Sequence, residues 1–175
     1  MPELPDLEVI REYLARHIVG LAITSAEVRR HLVMRNLLGG DAAGHLVGRS
    51  FAAVGRRGKF LLLPFDDATT MVINPMLAGR LRYGEPLPRH RARDALVLGL
   101  SDGRELRYHD AKDMGKVYLT AGLDQIPTFS ELGPEANDPD LTLEAFRERL
   151  RRHLSLIHIS EPTRLDARSR MPSSA

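Results

Sequence analysis

The sequence predicts a mainly β fold with some α: a two-layer β-sandwich of about eight strands with one N-terminal helix, followed by a partial helical domain. Three observations predict it. Apolar residues recur at helical spacing between Leu7 and Ile18, short apolar runs alternate with turn-like segments from 22 to 119, and a charged amphipathic stretch follows a segment rich in Pro, Gly, Asp and Asn.

The first helix puts Leu7, Ile10, Leu14 and Ile18 on one stripe with Val9 and Tyr13 beside them, and Glu8, Arg11, Glu12 and Arg16 on the opposite side. Pro5 and Asp6 open it and Gly20 closes it. Ahead of it stand Pro2 and Glu3. Trimming of the initiator Met before a small residue leaves Pro2 with a free secondary amine. An unperturbed α-amino group titrates near pH ~8, so a fraction of it is nucleophilic at neutral pH. Glu3 is an adjacent proton donor, and the helix N-terminus favours anions such as phosphate. Amine and acid together suffice for Schiff-base chemistry, although MPELPD also reads as an ordinary helix lead-in.

The strands follow as Ile23 to Arg29, Ser50 to Val54, Phe60 to Phe65, Met71 to Ile73, Gly79 to Tyr83, Ala95 to Leu100, Glu105 to Tyr108 and Lys116 to Leu119. Gly55 to Gly58, Asp66 with Asp67, and Ser101-Asp102-Gly103 separate them as turns. The unbroken run Phe60-Leu61-Leu62-Leu63 predicts a strand covered on both faces. No internal repeat is present.

After residue 122 the segment 123–141 reads as a linker, and Thr142 caps a helix over 142–153 with Leu143, Phe146 and Leu150 on one stripe. That helix reads as the opening of a second domain. Residues Leu154 to Arg164, LSLIHISEPTR, match residue for residue the translation of a common transposase sequencing adapter. Ser169 to Ala175, SRMPSSA, match a further stretch of it. The coding sequence is therefore expected to end near His153, with 154–175 a disordered adapter translation.

With 175 residues and 43% apolar content, the chain holds one ordinary domain and the beginning of another. No signal peptide or bilayer-spanning run is visible. The absence of Cys excludes disulfides and thiolate metal sites from these residues and fits a cytosolic chain. A net charge of +2 does not by itself argue for nucleic acid. Local clusters do: Arg29, Arg30 and Arg35; Arg49, Arg56, Arg57 and Lys59; and Arg80, Arg82, Arg89, Arg91 and Arg93. They could line a phosphate track or serve as solvated sheet-edge charge.

Four segments, MPELPDLE, GRRGKFLLL at 55–63, MLAGRL at 76–81 and YHDAKDMG at 108–115, occur in the order and at about the spacing of the formamidopyrimidine-DNA glycosylase and endonuclease VIII family. The chain resembles that family over 1–153, with 1–122 as its N-terminal catalytic domain and 142–153 as the first helix of a truncated helix-two-turn-helix domain. The resemblance implies a base-excision-repair glycosylase with AP lyase activity that removes oxidised bases through a Schiff base on Pro2, with damaged double-stranded DNA as partner. Pro2 corresponds to the nucleophile, Glu3 to the acid that assists sugar-ring opening, and Lys59 to the lysine that contacts phosphate at the lesion. Met76 corresponds to the wedge that fills the gap left by the extruded nucleotide. Lys112 and Met114 stand in the loop that faces the opposite base, and Arg57 and Arg80 complete the DNA-binding candidates. No cofactor is implied within this fragment, because the family zinc finger would lie beyond the truncation. A monomer in a bacterial-type cytosol or nucleoid is expected.

Three segments depart from the family pattern: Asp6 replaces a second Glu, Asn74-Pro75 replaces a His-containing lead into the Met loop, and Lys112-Asp113-Met114 replaces Arg-Arg-Phe. Lys112 lacks the arginine fork and Met114 cannot stack as Phe does, so lesion and opposite-base preference stay open. Loss of the DNA-gripping domain predicts weak or no activity of this polypeptide on duplex DNA. Two rivals are a catalytically silent damaged-DNA-binding module and a tautomerase using Pro2 as base. The second is disfavoured because Pro2 enters a helix rather than a strand.

Overall fold

The computed structural model describes residues 2–89, 92–135, 138–148, 150 and 151. The chain divides into two compact units, Met1–Leu132 and Gly133–Ala175.

Helix α1 (Leu4–His17) opens the first unit. It starts three residues earlier than its apolar stripe, because Pro5 fits the first turn and the Asp6 carboxylate accepts from the Glu3 backbone N–H at 2.9 Å. Leu7 and Leu14 are buried beneath it. Gly20 follows with a left-handed φ of 83°, which a glycine reaches without strain.

Strands β1 (Ile23–Val28), β2 (Met34–Asn36), β3 (Gly55–Arg57), β4 (Phe60–Pro64), β5 (Thr70–Asn74), β6 (Gly79–Gly84), β7 (Asp94–Leu100), β8 (Glu105–Asp110) and β9 (Lys116–Thr120) form two sheets, with a short helix α2 (Ala42–Leu46) after β2. One sheet has the order β1-β7-β8-β6 and the other β2-β9-β5-β4-β3. All pairings are antiparallel except β2 with β9.

Three expectations are corrected here. The strand expected at Ser50 to Val54 makes only two isolated bridges, Ala22 to Ser50 and Phe51 to Phe65. Gly55 to Arg57, expected within a turn, is a strand, and the turn itself is only Gly58-Lys59. β2 and α2 were not anticipated: β2 is three residues long, too short to display a period, and α2 is nucleated locally by the Asp41 carboxylate, which accepts from Gly44 N at 2.8 Å.

The main core lies between the sheets and takes Leu61, Leu63, Met71, Ile73, Val117 and Leu119 from one and Leu96, Leu98, Leu106 and Tyr108 from the other, with Leu7 and Leu14 of α1. The alternate residues of β4 and β5 face the other way: Phe60 and Val72 are buried with Ile126, and Phe129 and Leu132 pack beside them. The Phe60 and Phe129 rings meet edge to face, 5.4 Å apart. The both-faced burial expected for Phe60 to Leu63 is therefore supplied by residues 123–132. The first part of the expected linker, including a 3-10 turn at Leu123–Gln125, belongs to the first unit.

In the second unit, residues 143–148 and 150–151 are helical and the Thr142 hydroxyl accepts from Ala145 N at 3.2 Å, the cap read from the sequence. Leu143, Phe146 and Leu150 are exposed. The adapter reading of 154–175 and the last two residues of the expected helix lie outside the described residues.

Candidate active site

The start of α1 is held where it is by two kinds of contact. Leu7 is buried in the main core, and Glu8 accepts from Arg56 of β3 at 2.8 Å. Arg56 also donates to the Gly58 carbonyl at 3.0 Å. Gly58, with φ 53°, takes the first central position of the two-residue β3–β4 turn, and Lys59 takes the second. The ion pair and the turn together bring Lys59 towards the amino terminus.

The result is a cavity of about 410 Å³ lined by Pro2, Glu3, Lys59, Asn74, Pro75 and Met76 together with Leu4 and Leu7. Four of the residues singled out from the sequence, Pro2, Glu3, Lys59 and Met76, therefore share one site although three chain segments supply them. Lys59 is exposed, and its ammonium lies 5.7 Å from the Phe60 ring centroid. Pro2 also borders a second cavity of about 710 Å³, lined as well by Asp6, Leu77, Arg80, Arg82 and His109. Arg80 faces His109 across the β6–β8 pair. The His109 Nδ1 lies 3.2 Å from a carboxylate oxygen of buried Asp94, whose other oxygen accepts from Arg107 at 2.9 Å.

Met76 and Leu77 differ in a way the sequence did not disclose. Met76 has a left-handed φ of 49°, unusual for a side chain of its size, and its backbone N–H donates to the Asn74 side chain at 3.3 Å. It is half-buried against the Pro2 cavity, whereas Leu77 is 46% exposed and borders the second cavity. The left-handed residue turns the loop and sends two adjacent apolar side chains to different sides of Pro2. No period or composition signal separates these two neighbours. Leu77, His109 and Asp113 are the site-region residues that sequence reasoning left without a role.

Lys112 and Met114 line neither cavity. They lie in the β8–β9 loop, both exposed, and the loop is closed by Asp110, which accepts from Lys112 N at 3.0 Å and from Gly115 N at 2.6 Å. Arg57 is half-buried on β3 opposite Phe60 and lines neither cavity. Tyr108 joins the Met76 loop to the Lys112 loop. Its hydroxyl is buried without a hydrogen-bond partner, and a Cβ placed on Gly79 or Gly115 would lie 2.3 Å or 1.9 Å from that oxygen. Glycine at both positions is what lets the tyrosine fit. Burial, with the Asp110 charge nearby, pushes the phenol well above its ordinary pKa.

Among the described residues no cluster of three or more His, Cys, Asp or Glu could hold a metal ion. The same residues contain no helix long and apolar enough to cross a membrane.

Residues 1–117 match the formamidopyrimidine-DNA glycosylase N-terminal domain. The formamidopyrimidine-DNA glycosylase of Desulforamulus reducens is 36% identical over 163 residues, covering 90% of this chain and 58% of that protein. That of Nocardioides sp. is 36% identical over 162 residues, covering 89% and 55%. Among solved structures, Lactococcus lactis formamidopyrimidine-DNA glycosylase non-covalently bound to AP-site DNA superposes with a TM-score of 0.74 at 29% identity, covering 86% of this chain and 58% of that one. The complex of the same protein with DNA containing Fapy-dG gives a TM-score of 0.74 at 28% identity, covering 85% and 56%. The chain belongs to the formamidopyrimidine-DNA glycosylase family through its N-terminal domain. It spans a little over half the length of these relatives.

Proposed function

We propose that the intact protein is a base-excision-repair DNA glycosylase with AP lyase activity, acting as a monomer on damaged duplex DNA through a Schiff base on Pro2. The observation that carries the reading is the convergence of Pro2, Glu3 and Lys59 on one cavity, an amine, an acid and a cation from separate segments. It is supported by membership of the family and by the lesion-bearing DNA in the Lactococcus lactis complexes.

Each residue has a task in that chemistry. The trimmed Pro2 nitrogen attacks C1′, the damaged base departs, and Glu3 protonates the ring oxygen as the sugar opens to an iminium. Loss of the 3′ and then the 5′ phosphate by elimination cleaves the strand. A stacked nucleotide cannot present C1′ to an amine, so it must be flipped out at a cost of a few kcal/mol, about what phosphate contacts such as Lys59 and Arg80 must offset. The apolar loop plugs the gap. Of its two apolar residues, exposed Leu77 is better placed than half-buried Met76 to enter a base stack.

The 175-residue polypeptide, which spans a little over half the length of its relatives, is proposed to turn over duplex substrate weakly or not at all. A silent damaged-DNA-binding module is the second reading, favoured only by the Lys112-Asp113-Met114 departure. Borohydride trapping on abasic-site DNA decides between them: a covalent adduct with the wild type that disappears in Pro2→Gly supports the glycosylase, and binding without an adduct supports the module. Efficient turnover of an 8-oxoguanine duplex would refute the claim about the fragment.

A further inference from the structure

The β8–β9 loop is braced at its tip by a contact the proposed chemistry does not use. Asp113 has a left-handed φ of 54° and a side chain only 19% exposed, between Lys112 and Met114, which are both exposed. Its carboxylate accepts from both edges of the Arg30 fork, Nε at 3.0 Å and Nη2 at 2.7 Å, and from Arg93 Nη1 at 2.8 Å. A bidentate arginine–carboxylate pair carries directional specificity as well as charge. Both arginines are themselves anchored. The Arg29 and Arg30 backbone N–H groups donate to the Ala95 carbonyl at 2.9 and 3.2 Å, and the Arg93 carbonyl accepts from Asp110 N at 3.0 Å. Three connections, before β2, before β7 and after β8, thus meet on one carboxylate. With its base closed by Asp110, the loop is held at its tip and at its base.

We infer that Asp113 is a positioning residue: by occupying Arg30 and Arg93 it fixes the loop so that Lys112 and Met114 are presented, pre-set, to the strand opposite the lesion. The arrangement engages the Arg30 fork and one Arg93 nitrogen and leaves one point charge and one flexible apolar side chain as the probe. A probe held in advance loses less conformational entropy when it enters the gap, which favours paired over single-stranded substrate. The inference rests on the proposed function, with Pro2 as the nucleophile and the β8–β9 loop against the opposite strand as the resemblance implies.

Two measurements on the 175-residue chain test it. Amide hydrogen exchange reads the clamp without DNA. Asp113→Asn is expected to speed exchange across 111–115 about tenfold, and Arg30→Met, which leaves the carboxylate to Arg93 alone, to speed it by a smaller factor. Borohydride trapping with protein in excess, on one abasic strand alone or paired, reads the positioning. Asp113→Asn is expected to lower trapping on the duplex about fivefold while single-strand trapping stays within about twofold, with a smaller loss of the same kind in Arg30→Met. Unchanged exchange, an unchanged duplex to single-strand ratio or equal loss on both substrates would each overturn the inference; where the wild type traps the single strand but not the duplex, the exchange result alone decides, and unchanged exchange overturns it. No trapping on either substrate would strike the Pro2 reading instead, and the exchange result would still decide the clamp.

Discussion

Arg56 Nε donates to Glu8 Oε2 at 2.8 Å, and this ion pair ties the helix that carries Pro2 to the hairpin that carries Lys59. The Arg56 side chain is 7% exposed, so the contact is sheltered on one side, and Glu8 is held on the other by Arg11 at 2.6 Å. Replacing Arg56 with Met keeps most of the packing and removes the tie. Trapping of abasic DNA is expected to fall about tenfold with little change in fold, because small displacements of reacting groups are costly. Circular dichroism beside the trapping assay checks both halves of that statement.

The same pair is pH-sensitive. Hydrogen bonds from Arg56 and then Arg11 hold the Glu8 carboxyl below its usual range. A carboxyl depressed in the folded state stabilises the fold above its unfolded pKa of about 4.3 and loses that contribution as pH falls through the folded value. Wild type is therefore expected to melt above Glu8→Gln at pH 7, and the gap to close as the solution is acidified below pH ~4. A constant gap down to pH ~2 would contradict the assignment.

Met76 holds its left-handed backbone at a cost. Met76→Gly is expected to raise stability by about 1 kcal/mol, as relief of the strain outweighs the entropy of the added glycine. Leu77→Ala is expected to leave stability within about 0.5 kcal/mol, since the side chain is exposed, yet to reduce trapping on duplex relative to single-stranded abasic DNA. Thermal melts with the two trapping substrates separate the backbone role from the wedge role.

Tyr108 and Gly115 make opposite predictions for two small changes. Tyr108→Phe removes a buried hydroxyl that has no partner and is expected to be neutral or stabilising by up to about 1 kcal/mol. Gly115→Ala forces a methyl against that oxygen and the Asp110 carboxylate and is expected to cost about 2 kcal/mol. The double variant should recover part of the loss, which a denaturant-melt cycle measures.

Asp94 and Arg107 are both about 2% exposed, and the pair stands behind His109 on the wall of the larger cavity. Asp94→Ala leaves a buried guanidinium with less compensation and is expected to cost about 3 kcal/mol. The melting temperature and the response of His109→Gln in the same background check whether the carboxylate also orients the imidazole.

The candidate site residues are legible without coordinates. Pro2 and Glu3 stand at the terminus, Lys59 follows Gly58, and the short apolar runs of β4, β5, β7 and β8, bounded by turn residues, announce strands through a local property. The doubled apolar run Phe60 to Leu63 even required a second cover. What no local pattern contains is which distant segment supplies that cover, and the packing of Ile126, Phe129 and Leu132 moved the unit's boundary to residue 132. Tertiary structure also decided that Met76 turns inward and Leu77 outward, because a backbone dihedral rather than hydrophobicity sets that choice. It decided as well that Asp113 is spoken for by Arg30 and Arg93, since a carboxylate's partners depend on where three connections converge. The amine and the acid are a matter of sequence; their meeting with Lys59, and the bracing of the β8–β9 loop, are matters of packing between residues far apart in the chain.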